Sequence, residues 1–190
     1  MDKKLSLIIR RVLAILLVLG AAGTGIYFLF QPAGISGTAA APTVVAIGQP
    51  APDFTLPNLN GKLVSLHDNK GKIIFLNFWA TWCVPCRKEM PSMEKLYQAL
   101  KGEPFEILAV SIDSYGADVV APFMADYQLS FPALLDTDGT VRRRYNVNNI
   151  PQTFIIDKEG VIVSKFIGSH DWSDEKEIQH IRDLIKRPPP

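Results

Sequence analysis

Cys83 and Cys86 are the two cysteines of the chain, in the segment Trp82-Cys83-Val84-Pro85-Cys86. A pair at this spacing has three chemical uses. As a structural bridge it closes a tiny loop and restricts the unfolded chain far less than a long-range crosslink does. As a structural zinc site it lacks two ligands, and His67, His170 and His180 form no matching pair. As a redox couple it needs two thiols close enough to bridge, one of them ionised near neutral pH. The start of a helix supplies that condition, because free N–H groups and the positive dipole end stabilise a thiolate. Cys83 follows an apolar run and precedes a helical pattern, which makes it the candidate nucleophile. Cys86 falls one turn later, placed to attack a mixed disulfide and release product. Pro85 lacks an N–H, costs little in a first helical turn and restricts the loop between the thiols. This chemistry calls for no cofactor beyond the cysteine pair and no metal.

The elements that must position the pair follow from periodicity. Lys72 to Trp79 is a nearly continuous apolar run, the pattern of a central strand covered on both faces. A helix is predicted from Pro85 to Leu100, with Met90, Met93, Leu96, Tyr97 and Leu100 at helical spacing. Phe105 to Ile112 reads as a second buried strand, Ala117 to Tyr127 as a helix and Ala133 to Leu135 as a short strand. Phe154 to Ile156 and Val161 to Val163 form a predicted hairpin across Asp157-Lys158-Glu159-Gly160. Trp172 to Ile185 closes the chain as an amphipathic helix with Ser173 as its cap. Ahead of these, residues 53–56 and 63–66 alternate around Asn60-Gly61, a hairpin signal. The order implies a mixed sheet with helices on both faces, an α/β architecture of three layers.

Charge and hydropathy separate the N-terminus from the rest. The chain holds 20 basic and 19 acidic residues, but Lys3, Lys4, Arg10 and Arg11 against Asp2 leave the remainder at −2. That balance offers no basic patch, so nucleic acid is not an expected partner. Val12 to Phe30 is uncharged for 19 residues, and at about 1.5 Å per residue it matches the ~30 Å hydrocarbon core of a bilayer. With four basic residues before it and no charge after it until Asp53, the positive-inside rule keeps residues 1–11 in the cytoplasm. The reading is a single-pass anchor at 12–30, a flexible Ala/Gly/Pro/Thr/Ser-rich tether at 31–46, a domain at 47–186 and a fraying tail at 187–190. The alternative is a signal peptide cleaved near Ala39-Ala40-Ala41. Either way the domain is expected outside the cytoplasm, where disulfides persist.

The segment Phe78-Trp79-Ala80-Thr81-Trp82-Cys83-Val84-Pro85-Cys86-Arg87-Lys88-Glu89-Met90-Pro91 resembles the active-site stretch of the AhpC/TSA-related thioredoxin superfamily. With Gly48-Gln49-Pro50-Ala51-Pro52-Asp53-Phe54 and Ile150-Pro151-Gln152-Thr153-Phe154-Ile155-Ile156-Asp157, it is similar more narrowly to the membrane-anchored TlpA/ResA/CcmG group of thiol–disulfide oxidoreductases. The resemblance covers residues 47–184. It implies a thioredoxin-like fold with an N-terminal β-hairpin extension and a central insertion around Ser111 to Pro132. It also implies that Pro151 is a cis-proline facing the cysteines, with Ile150 beside it, and that Trp82 and Pro85 complete a substrate-facing wall. An extended client peptide would pair with the Ile150 backbone. Pro91 would kink the active-site helix, as in relatives.

One departure from ordinary thioredoxins matters. They carry an aspartate on the strand before the active site, where this chain has Asn77, whereas the narrower group has a glutamate matched by Glu89. The resemblance implies that Glu89 raises the proton affinity of Cys86 and serves as its base. The alternative is a solvated glutamate beside Lys88. Trp79 and Trp82 shape the apolar surround. The expected activity is reduction of protein disulfides, with apocytochrome c Cys-x-x-Cys-His sites as leading substrate and a membrane electron-transfer protein as donor. Two rivals remain at this level. A thiol peroxidase is suggested by the peroxiredoxin flavour of Asp113, Phe131-Pro132 and Asp136, and a chaperone or metal carrier would use the thiols for capture without turnover.

Overall fold

A computed structural model describes residues 45–188. The expected cytoplasmic segment, the anchor at 12–30 and the tether up to residue 44 lie outside the described residues, as do the last two residues of the tail. Among the described residues no helix is long and apolar enough to cross a membrane.

The apolar run becomes β3 (Ile73–Trp79), buried at every position and central in a five-stranded sheet. On one side it pairs in parallel with β4 (Phe105–Ser111), and β4 pairs in parallel with β5 (Ala133–Leu135). On the other side it pairs antiparallel with β6 (Gln152–Ile156), which carries β7 (Ile162–Ile167) at the edge. The N-terminal hairpin, β1 (Thr55–Pro57) and β2 (Leu63–Ser65), stands apart as a two-stranded sheet, with Asn58 bridging to Leu134 beside the β5 edge. Its loop is fastened by the Asn58 carboxamide oxygen, which accepts from Asn60 N and Lys62 N at 3.0 Å each. Gly61 there has φ +74°, a left-handed conformation that glycine adopts without steric cost.

Because side chains alternate along β3, its two faces fill two cores. Ile73, Phe75 and Trp79 meet α1 (Val84–Ala99), α2 (Ala117–Asp126) and α4 (Glu175–Lys186). Ile74, Leu76 and Phe78 meet the hairpin and α3 (Thr140–Arg144), around an aromatic cluster of Phe54, Phe78, Tyr145 and Phe154. Helices do cover both faces, but the three longer ones share one. The stretch expected as an insertion holds α2, the crossover between parallel β4 and β5.

Two details correct the sequence reading. The closing helix begins at Glu175 rather than Trp172, and its cap is Asp174, whose carboxylate accepts from Lys176 N at 2.9 Å. Ser173 instead donates its hydroxyl to Asp171 Oδ1 at 2.7 Å. Trp172 leaves the helix because its ring is wanted in the core, edge-on to Phe75 at 4.6 Å and Phe166 at 5.0 Å. Asp174→Ala is expected to lower stability by about 1 kcal/mol, roughly 3 °C in Tm by circular dichroism. The short α3 was not anticipated. It forms because the buried Asp136 carboxylate caps it, accepting from Val141 N (3.0 Å) and Arg142 N (2.7 Å).

Candidate active site

Parallel strands place their following loops at one edge of a sheet. Trp79 and Ser111, the last residues of β3 and β4, are register partners, so residues 80–83 and 112–116 leave side by side. β6 runs the other way and begins at Gln152, which brings Ile150-Pro151 to the same edge. The cysteines therefore sit between two fixed walls.

Cys83 is the N-cap of α1, with Val84 and Pro85 as the first helical residues. The two cysteines form a disulfide, and Cys86 N donates to Cys83 Sγ at 3.3 Å. Sulfur thus takes the place that a serine or aspartate oxygen occupies in an ordinary cap. In the reduced state the same N–H and the helix dipole favour charge on Cys83. Cys86 has no exposed surface, whereas Cys83 keeps 5%. The more accessible cysteine is the one at the helix terminus.

The Ile150–Pro151 peptide is cis, and the Ile150 carbonyl oxygen lies 3.8 Å from Cys83 Sγ. Trp82 projects outward at 65% exposure, while Trp79 is buried against Phe123 at 5.1 Å. The cysteine loop is tied to the next strand by Asp113, which accepts from Thr81 N (2.9 Å), Thr81 Oγ1 (2.7 Å) and Ser111 Oγ (2.8 Å). Asp113 and Asp136, singled out above for their peroxiredoxin flavour, therefore serve as internal fasteners. No sequence signal distinguished that role; it depends on which backbone N–H groups the fold leaves open.

Glu89 is one turn beyond Cys86 on α1, and only 1% of it is exposed. The solvated alternative is excluded. Its Oε1 accepts from Asn77 Nδ2 at 2.8 Å and its Oε2 from the His170 backbone N–H at 3.1 Å. Asn77 also donates to Thr153 Oγ1 at 2.9 Å, linking the carboxyl to β6. Burial pushes the Glu89 carboxyl up to about 7, and the His170 and Asn77 donors hold it from rising further. Asn77, which replaces the aspartate of ordinary thioredoxins, acts here as a donor that orients this carboxyl. The Asn77 carboxamide has its oxygen without a partner among the described residues, so its amide end is committed to Glu89 and Thr153. His170, Ser92 and Trp172, which surround Glu89, were not picked out from the sequence as site residues.

Among the described residues no group of three or more His, Cys, Asp or Glu side chains is placed to hold a metal. A family model described as the AhpC/TSA family matches residues 47–165. The chain belongs to the AhpC/TSA family. Members of this thioredoxin-like branch work through a redox-active cysteine pair without a cofactor, and the Cys83–Cys86 disulfide is such a pair. The chain is 40% identical to the thiol-disulfide oxidoreductase ResA of Bacillus cereus over 158 residues, covering 83% of this chain and 86% of that one. It is 37% identical to the ResA of Geobacillus thermodenitrificans over 182 residues, 96% and 98% of the two chains. Solved structures agree with the fold. The thioredoxin domain of a thiol-disulfide oxidoreductase from Bacteroides vulgatus superposes with TM-score 0.66 at 29% identity, covering 75% of this chain and all of that one. A thiol:disulfide interchange protein from a Bacteroides species gives 0.64 at 29% identity, covering 75% and 92%. This AhpC/TSA member is accordingly a thiol–disulfide oxidoreductase with a Cys-x-x-Cys pair.

Proposed function

We propose that the chain is a membrane-anchored, extracytoplasmic protein-disulfide reductase that acts on apocytochrome c Cys-x-x-Cys-His sites before haem attachment. The observation that carries the reading is the asymmetry of the pair: one sulfur at a helix N-terminus facing the Ile150-Pro151 wall, the other on a fully buried cysteine one helical turn before a buried carboxyl of raised proton affinity. Cys83 thiolate attacks the client disulfide, forming a mixed disulfide and releasing one client thiolate. Glu89 takes the Cys86 proton, and the Cys86 thiolate attacks Cys83 Sγ. The Cys83–Cys86 disulfide forms as the second client thiolate leaves, so two electrons pass to the client. Trp82, Pro85, Ile150 and Pro151 receive the client chain. A membrane electron-transfer protein then returns two electrons.

The anchor and the outward placement rest on the uncharged Val12 to Phe30 run with its four preceding basic residues. Protease added to spheroplasts is expected to digest the domain; protection there overturns the placement. Equilibration with glutathione is expected to give a Cys83/Cys86 potential below about −150 mV, and a higher value assigns the pair an oxidant role instead. With an apocytochrome c peptide as client, Cys86→Ser is expected to accumulate the mixed disulfide on non-reducing gels. If the peptide is not captured while a general oxidised protein is, the client assignment fails.

A further inference from the structure

Glu89 must release and regain a proton in each turn of the proposed cycle, so whatever fixes its hydrogen-bond donors fixes its working pH. Asn77 reaches it from β3 and is itself fastened to Thr153 of β6. The second donor, His170 N, belongs to the connection between β7 and α4 and needs other fastening.

Two fasteners are present. Ser92, one turn beyond Glu89 on α1, accepts from Trp172 N at 3.1 Å and donates to the Glu89 main-chain oxygen at 2.7 Å. Its Oγ is also 3.4 Å from the His170 carbonyl oxygen. On the other side, His170 Nε2 lies 3.2 Å from Glu177 Oε1 in the first turn of α4. The imidazole is lodged against Trp172 (4.5 Å between centroids) and Phe166 (5.5 Å). A proton on Nε2 lies between the ring and the Glu177 carboxylate, which accepts it as a hydrogen bond. The remaining charged groups of this corner are Lys88 and Lys95 on α1 and Asp171, which line a polar cleft of about 340 Å³ together with His170.

We propose that Ser92 and the His170–Glu177 pair are positioning residues that hold the His170 N–H on Glu89 and so set the pH at which Glu89 exchanges a proton with Cys86. The inference rests on the reading of Glu89 as the proton partner of Cys86. It assigns to Glu177 of α4, through His170, control over the proton chemistry of the second sulfur. Loosening either fastener withdraws a donor from the ionised carboxylate, so Glu89 binds its proton more tightly and titrates at higher pH.

The test is a titration of the oxidised full chain in detergent, labelled with ¹³C at the glutamate carboxyls and read by NMR, with Glu89→Gln assigning the resonance. The wild-type midpoint is expected near 7. Ser92→Ala and Glu177→Gln are each expected to move it up by about one unit, while Ser92→Thr and Glu177→Asp bring it back. A midpoint unmoved in both loosened variants overturns the proposal, even if their thermal stability drops. Glu177→Gln changes a partly exposed surface residue, so a misfolded Ser92→Ala still leaves a decisive measurement. Failure of the underlying reading has a separate signature: client reduction by Glu89→Gln would keep the wild-type pH profile.

Discussion

Cys83→Ser is expected to lower client-disulfide reduction by about 10³-fold or more, leaving no trapped intermediate. A serine hydroxyl at the N-cap is a good cap but stays protonated at neutral pH, so the helix terminus that stabilises a Cys83 thiolate gives no nucleophile. Cys86→Ser is expected to lose turnover to a similar extent for a different reason. Cys83 still attacks, but no thiol follows it one turn along α1 to release the client. The two variants thus separate by product: stalled adduct for Cys86→Ser, none for Cys83→Ser. Adduct formation through Cys86 in the Cys83→Ser chain would reverse the assigned roles. Such a reversal conflicts with the complete burial of Cys86.

Glu89→Gln is expected to affect both rate and stability, each with its own pH signature. Removing a positioned base slows the resolving step by about 10²-fold or more, seen as a longer-lived mixed disulfide in stopped-flow quenching. The stability effect follows from linkage. Glu89 titrates at about 7 when folded and near 4.5 when exposed, so between those values the folded chain holds a proton that the unfolded chain has released. Stability contributed by the neutral carboxyl is complete below pH 4.5 and is lost as pH rises to about 7. Over that window the loss amounts to about 3 kcal/mol. Glutamine is neutral throughout and keeps the packing, so urea unfolding of the oxidised variant is expected to lack this slope. Parallel pH profiles for wild type and Glu89→Gln would show that the carboxyl titrates normally.

The fold was legible where periodicity and burial coincide. The run at 72–79 is strand-like because a doubly covered central strand has no solvent face to mark, and β3 is buried throughout. The active-site helix and β4 were read within a residue or two for the same reason: their apolar positions repeat at the period of the element. Reading failed at the start of α4, where a few competing hydroxyls and carboxylates decide. Ser173 and Asp174 are both good caps by type, and the choice fell to Asp174 because Asp171 holds the Ser173 hydroxyl. The five-residue α3 is too short for periodicity and exists through its buried Asp136 cap.

Local spacing in the sequence determined the redox pair and its order along the helix, while the wall at Ile150-Pro151 was legible only through the resemblance of its motif to a known family. The environment of Glu89 was settled only by tertiary structure. Its donors come from residues 12 and 81 positions away, and its burial is a property of packing that no local pattern encodes. By residue type alone a glutamate beside a lysine on a helix leaves the solvated alternative open until the tertiary structure is in place. Packing then turns that carboxyl into a group that changes charge near neutral pH one helical turn from Cys86.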